Sequence, residues 1–165
     1  MKRYLFPVIA LLIAAGLQSN WPSSWDLLGA KPDFVLVMLI VFSLENEPNY
    51  GVGLGFCAGL IMGASVGSSI GSFLVSRILT GFGAGLTNKR LFSKNPIVII
   101  LSTVALTIIC EVIFLMANPR PFMYIVRIIT GEAIYNGIAA WLINIIMTQA
   151  EQNKKDRLFN ARARF

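Results

Sequence analysis

Long apolar segments separated by short polar breaks run through the whole chain. A helix needs about 20 mostly apolar residues to cross a bilayer, and several segments approach that length. The breaks contain prolines and polar residues that end helices, as in "ENEPNY" and "NPRPF". The pattern predicts an all-α membrane protein with six transmembrane helices, at residues 4–18, 32–44, 50–64, 69–87, 97–117 and 122–148.

Two of these segments need a further physical argument. Residues 51–87 are apolar almost throughout, but a single helix of that length would be about 55 Å long, which exceeds any bilayer core. The polar patch at residues 65–71 is therefore predicted to be a turn between two helices. The segment at 32–44 is only about 20 Å long, so a full crossing requires residues 25–31 to extend it through a kink.

The distribution of basic residues predicts the orientation of the helices. With six crossings and a cytoplasmic amino terminus, the outer loops carry only Lys31 and Arg120, whereas ten lysines and arginines lie in the cytoplasmic segments. Five crossings would place Lys2 and Arg3 on the outer side. We therefore expect both termini in the cytoplasm. The first segment has the pattern of a secretory signal, but we expect it to be retained as a membrane helix.

Composition supports a membrane protein and narrows the classes of function. Of the 165 residues, 56% are hydrophobic and 13% are charged, whereas about a quarter of the residues of a soluble domain are charged. Histidine is absent, and Cys57 and Cys110 lie in apolar runs without neighbouring ligands, so we expect no metal and no other cofactor. The net charge of +6 fits anionic lipid headgroups, and we expect no nucleic-acid partner. We expect one six-helix transmembrane domain, residues 1–148, and a basic cytoplasmic tail, residues 149–165.

Glycines recur at every fourth position of "GVGLGFCAGLIMGASVGSSIG". Residues four apart share one face of a helix, and small residues let helix backbones approach closely in lipid. We favour helix packing within the chain as their role; the alternative is a groove for a partner's transmembrane helix or a small ligand. The glycines concerned are Gly51, Gly55, Gly59, Gly63 and Gly71, with Gly81 and Gly85 in the next helix.

Four charged side chains fall within the predicted helices: Arg77, Glu111, Arg127 and Glu132. A charge at the bilayer centre costs at least about 2.5–3.5 kcal/mol, so these groups are expected to pair with one another or to face a cavity. The simplest pairing is a bridge from Glu111 to Arg127 or Arg77. An internal ion pair and a ligand site are equally open alternatives here.

The last predicted helix carries a polar edge formed by Glu132, Asn136 and Asn144, which Thr148 continues. We favour hydrogen bonds between helices over a proton or substrate path as its role. The sequence contains no catalytic carboxylate pair, nucleophile elbow or phosphate-binding loop. It therefore predicts a protein that is not an enzyme.

The end of the chain, "QAEQNKKDRLFNARARF", is rich in basic residues. We interpret this tail as a positive-inside anchor, with adhesion to anionic lipid or to an acidic cytoplasmic partner as the alternative. The basic residues are Lys154, Lys155, Arg157, Arg162 and Arg164.

The order of these features resembles the rod shape-determining protein MreD family of bacteria. The resemblance covers about residues 4–148 and is carried by "KPDFVLVMLIVFSL", the glycine segment, "NKRLF" and "GEAIYNG". This chain has Gly63 where the family often has an aspartate, so no role of that acid is carried over. The residues that match the family pattern are Pro32, Asp33, Gly55, Gly59, Leu60, Gly71, Glu132 and Asn136.

The resemblance implies a non-enzymatic scaffold of the cell-elongation machinery (the elongasome) in the bacterial inner membrane. Such a protein binds MreC directly and works indirectly with the cytoskeletal protein MreB, a SEDS-type glycan polymerase and a transpeptidase. In that setting the glycine groove would receive a partner's membrane helix, and the basic tail would face the cytoskeleton. The outcome would be maintenance of rod shape and of lateral peptidoglycan synthesis.

A second interpretation is a vitamin transporter component. The MreD architecture is similar to the substrate-binding S components of energy-coupling-factor transporters, which are also six-helix membrane proteins. A short proline-initiated helix and a glycine-broken helix are typical of a ligand site at the bilayer midplane. Such a site would use Arg77, Glu111, Tyr124 and Arg127 in the outer half of the bundle. A small channel or a lipid-binding protein is a third interpretation.

Overall fold

The computed structural model describes residues 2–87 and 96–162. In this part of the chain six α-helices and one short 3₁₀ helix, Ser23–Trp25, form a bundle without a β-strand. The α-helices are α1 (Lys2–Ser19), α2 (Phe34–Leu44), α3 (Pro48–Val66), α4 (Ile70–Leu86), α5 (Pro96–Ala117) and α6 (Phe122–Arg162).

Three segments are long and apolar enough to cross a membrane: α3, α5 and the Phe122–Gln149 part of α6. The other three, α1 from Tyr4, α2 and α4, are apolar but shorter. The prediction of an all-helical membrane protein agrees with these helices. Six separate crossings of the bilayer stay a prediction.

The predicted break in the glycine segment is confirmed. α3 ends at Val66, and Gly67 caps it in the left-handed conformation (φ 70°), with its N–H donating to the Gly63 carbonyl at 3.0 Å. A glycine in this position is the common way to end a helix. Ser69 also has positive φ (54°) and directly precedes α4, so α3 and α4 form a tight helical hairpin.

α2 is the central helix of the bundle and contacts each of the other five α-helices. It is apolar on all sides, and Val35, Leu36, Leu39 and Ile40 are completely buried, as expected for a helix enclosed by neighbours. α2 is only about 16 Å long, and it begins at Phe34 after the buried residue Asp33. Residues 25–31, whose extension of α2 a full crossing by this segment would require, form a separate turn and do not extend the helix.

Residues 20–32, which we call the clasp, connect α1 to α2. Within the clasp, Leu27 and Ala30 exchange two backbone hydrogen bonds of 3.0 and 2.9 Å. The residues between them, Leu28 and Gly29, both have positive φ, 57° and 83°, as in type I′ turns. The clasp therefore reverses direction tightly before the chain enters the bundle at Asp33.

α6 is the longest element, with 41 residues and a length of about 60 Å. The predicted boundary between the last helix and the tail, at residues 148 and 149, is not a helix end, since α6 continues to Arg162. α5 and α6 pack against each other, and both also contact α2. This places the start of α2 next to residues of α4, α5 and α6.

Candidate functional site

The start of α2 lies inside the bundle and is held by polar contacts. The Asp33 carboxylate caps α2 by accepting a hydrogen bond from the Leu36 backbone N–H at 2.8 Å. The Asp33 backbone N–H donates to Oδ1 of Asn136 on α6 at 2.9 Å. Pro32 directly before Asp33 has no N–H and cannot continue a helix backwards. The first turn of α2 is thus satisfied by its own cap and by α6.

Arg77 of α4 reaches the same point from the other side. Its side chain is 2% exposed, and its guanidinium forms an ion pair with the second carboxylate oxygen of Asp33. It also donates to Sγ of Cys110 on α5 at 2.7 Å and lies 5.9 Å from the ring centre of Phe73. A buried cation needs such partners because the protein interior does not replace its hydration. Arg77 therefore joins α4 to α2 and α5.

Asn136 completes the connection between the helices. It is fully buried, and its side-chain amide donates to the Thr107 hydroxyl of α5 at 3.2 Å. The same side chain accepts the N–H of Asp33, so one amide uses both its donor and its acceptor. α2, α4, α5 and α6 meet in one polar cluster, which we call the polar junction and which consists of Asp33, Arg77, Thr107, Cys110, Glu111, Glu132 and Asn136.

Glu111 and Glu132 lie at the edge of the polar junction and are half-buried. One carboxylate oxygen from each of them and one from Asp33 all lie within 4.8 Å of one another. Three carboxylates at this spacing are ligands that suit a hard cation. Arg77 already supplies a positive charge to Asp33 within this group, so the arrangement works as an internal charge network.

The structure corrects one predicted ion pair. The expected bridge joined Glu111 to Arg127 or to Arg77, but among the described residues the partner of Arg77 is Asp33. Glu111 lies beside Asp33 in the same cluster. Arg127 is exposed on α6. The reason is that α2 begins deep in the bundle, which brings the capping carboxylate closer to Arg77 than the glutamate of α5.

The glycines of α3 lie against α4. A Cβ atom added to Gly55 would overlap the Arg77 carbonyl oxygen, and one on Gly59 would lie 2.7 Å from Cα of Leu74. Gly51 and Gly81 face each other in the same way. A Cβ on Gly85 of α4 would come within 2.5 Å of Pro48 Cα, and one on Gly63 within 3.0 Å of Ile70 Cα. In this structure α4 occupies the face that the glycine stripe presents.

Other candidate residues belong neither to the polar junction nor to the contact between α3 and α4. Gly71 has no atom within 4 Å of an added Cβ, and Leu60 is 42% exposed. Asn144 is half-buried further along α6. The predicted lipid or partner contacts of the tail fall outside the described side chains; these residues are Lys154, Lys155, Arg157, Arg162 and Arg164.

Sequence reasoning missed the pairing of Asp33 with Arg77 and the parts played by Thr107 and Cys110. A signal for the first was present. An aspartate directly after a proline caps a helix start, and a helix as short as α2 must start within the membrane if it ends at the surface. Asp33 was therefore a candidate partner for a buried arginine. Nothing in the sequence distinguished Thr107 or Cys110 from other small residues of apolar helices.

Comparison with protein families decides the classification. The family described as rod shape-determining protein MreD matches residues 1–151. The chain belongs to the MreD family. This MreD-family protein therefore has a role in determining rod shape. No individual curated protein and no solved structure matches the chain significantly.

The residues that carried the resemblance to MreD divide between the two features described above. Asp33, Glu132 and Asn136 lie in the polar junction, and Gly55 and Gly59 lie in the α3–α4 contact. In this MreD chain the polar part of the pattern thus anchors the start of α2, and the glycine part sets the spacing of α3 and α4.

Proposed function

We propose that this protein is an inner-membrane scaffold of the cell-elongation machinery that binds MreC. The match to the MreD family over residues 1–151 carries the proposal. Contacts within the protein support a scaffold, because Arg77 binds Asp33 and Cys110 and Asn136 binds Thr107. Binding energy at a surface, without bond chemistry, is then sufficient for the function.

The surface that we assign to the partner's membrane helix is not the glycine stripe, since α4 covers that stripe. A groove of about 390 Å³ between α1, α2 and α6 offers an alternative. Its walls include Ile9, Ile13, Met38 and Leu142, and Ile13 is 60% exposed. An apolar groove between helices fits another transmembrane helix, because close van der Waals packing drives helix association in lipid.

A substitution in this groove tests the proposal. Ile13→Trp fills the groove, and we expect it to reduce copurification of MreC from native membranes and to produce rounded cells. Leu101→Trp on α5 is the matched control, because Leu101 is 63% exposed and does not line this groove. Undiminished MreC recovery with Ile13→Trp would remove the groove from the proposal. Rod-shaped cells after depletion of the protein would contradict the scaffold role itself.

The S component of a vitamin transporter is the alternative that the depletion experiment also addresses. A vitamin site needs a few placed polar groups in a pocket. The groove described above is lined by apolar residues. So is a second groove of about 370 Å³ between α5 and α6, whose walls include Val104, Ile134 and Trp141. Loss of uptake of one vitamin in cells that stay rod-shaped would favour the transporter over the scaffold.

A further inference from the structure

The clasp is attached to α6 at two points. The Tyr135 hydroxyl donates a hydrogen bond to the Trp25 carbonyl oxygen. One turn earlier, Gly131 lies directly against the clasp: a Cβ there would overlap the Leu27 carbonyl oxygen and lie 2.7 Å from Cβ of Ala30. The clasp thus depends on a position in α6 that accommodates no side chain.

The clasp lies next to the polar junction. It ends directly before Asp33, the acid that pairs with Arg77, and its two contacts on α6 flank Glu132 in sequence. Cys110 of the polar junction is completely buried and in contact with Arg77. Movement of the clasp away from α6 would uncover Gly131 and Tyr135, which directly precede the junction residues Glu132 and Asn136.

The attached clasp contains unfavourable features. Leu28 has φ 57°, a left-handed conformation that side chains with a Cβ rarely adopt. Leu28 gains little burial in return, since it is 44% exposed. In and beside the clasp, Gln18 Oε1, Trp21 Nε1 and Asp26 Oδ1 are buried without a hydrogen-bond partner. Burial of a polar atom without a hydrogen-bond partner is unfavourable.

We propose that the clasp is a cover that opens and closes over the polar junction. Opening relaxes Leu28 and returns water to the three unpartnered atoms, while closing buries Ala30 and restores the contacts to Gly131 and Tyr135. The strain and the unpartnered atoms reduce the free energy by which the closed state is favoured. The open state admits water and small solutes to the junction.

The two native cysteines provide the test. The full-length protein in lipid nanodiscs is treated with N-ethylmaleimide, and labelling of Cys110 and of Cys57 is followed by mass spectrometry. Gly131→Ala pushes the clasp away from α6, and we expect it to speed labelling of Cys110 by about tenfold, equivalent to about 1.4 kcal/mol. Leu28→Asn favours the closed turn, because asparagine before glycine is the preferred type I′ pair. We expect it to slow labelling of Cys110.

Cys57 and a neutral glycine variant act as controls. Cys57 is half-buried on α3, and its labelling should be the same in all variants. Gly16→Ala, where an added Cβ meets no atom within 4 Å, should leave both rates unchanged. A parallel rise at Cys57 in Gly131→Ala would indicate general unfolding and overturn the proposal. An unchanged Cys110 rate in Leu28→Asn would overturn it even if Gly131→Ala does not fold. MreC is absent from these measurements, so their outcome is independent of the proposed function.

Discussion

Gly51 of α3 and Gly81 of α4 lie so close that a Cβ atom on either would overlap the backbone carbonyl of the other. The contact continues along the helices at Gly55, Gly59 and Gly85. In lipid, close packing of the two backbones stabilises the helix pair through van der Waals contact. Burial of apolar side chains adds little, because the surrounding lipid tails are equally apolar. The strength of the α3–α4 hairpin should therefore respond to single methyl groups.

Gly55→Ala tests this directly. The added Cβ would overlap the Arg77 carbonyl oxygen and lie 2.8 Å from Cα of Ile78, so the helices must separate. We expect a loss of about 1–3 kcal/mol in the free energy of unfolding, as for other overpacked sites, measured by denaturation in detergent micelles. Gly71→Ala is the matched control, because its Cβ would meet no atom within 4 Å. Equal stabilities of the two variants would contradict the packing argument.

The buried pair of Asp33 and Arg77 should show strong coupling. Arg77→Met leaves an unpaired buried carboxylate, and we expect a loss of about 3–5 kcal/mol. Asp33→Asn keeps a capping oxygen for α2 but leaves the guanidinium unpaired, with a similar loss. The double variant should be more stable than the sum of the two losses predicts, as shown by a double-mutant cycle. Strict additivity would mean that the two groups do not stabilise each other.

Asn136 should be more important than the other asparagine of α6. Asn136→Ala removes the acceptor for the Asp33 N–H and the donor to Thr107, leaving buried groups without partners. We expect a loss of about 1–3 kcal/mol in the free energy of unfolding. Asn144→Ala, at a half-buried position, should have a smaller effect. The reverse order in thermal unfolding would indicate that the polar junction contributes little.

The orientation of the chain is open to a topology experiment. We expect alkaline phosphatase to be inactive when fused after residue 165 or within residues 88–95, and active when fused within the clasp or at residues 118–121, because basic residues concentrate on the cytoplasmic side. Green fluorescent protein at the same sites should give the opposite pattern. Phosphatase activity at the sites expected to be cytoplasmic, or fluorescence at the sites expected to be outside, would rule out this six-crossing topology.

Apolar length and turn chemistry were enough to predict most of the helices. The turn after Val66 was predictable because a polar patch interrupts a segment too long for one helix. The start of α2 was placed at Pro32, one residue before the cap, and the helical continuation of α6 to Arg162 was not expected. Helix ends that lie outside the apolar segments depend on capping and charge. These give a weaker signal in the sequence than the length of an apolar segment does.

The polar junction was only partly predictable, for a different reason. The cost of burying Arg77 and Glu111 predicts that they have partners, but it does not say which ones. The choice of Asp33 over Glu111 depends on how deep α2 begins, and that depth follows from the turn at Leu28 and Gly29. A contact between residues far apart in sequence needs the three-dimensional path of the chain.

The length of α6 means that its two ends lie far apart on one continuous helix. From Glu132 to Arg162 the helix is continuous, a distance of about 45 Å, and its last part, beyond Gln149, extends about 20 Å past the apolar stretch. If the buried end of α6 tilted by a few degrees between α2 and α5, the tip of a helix of this length would move by several ångströms. A molecule bound at that tip would then move with it.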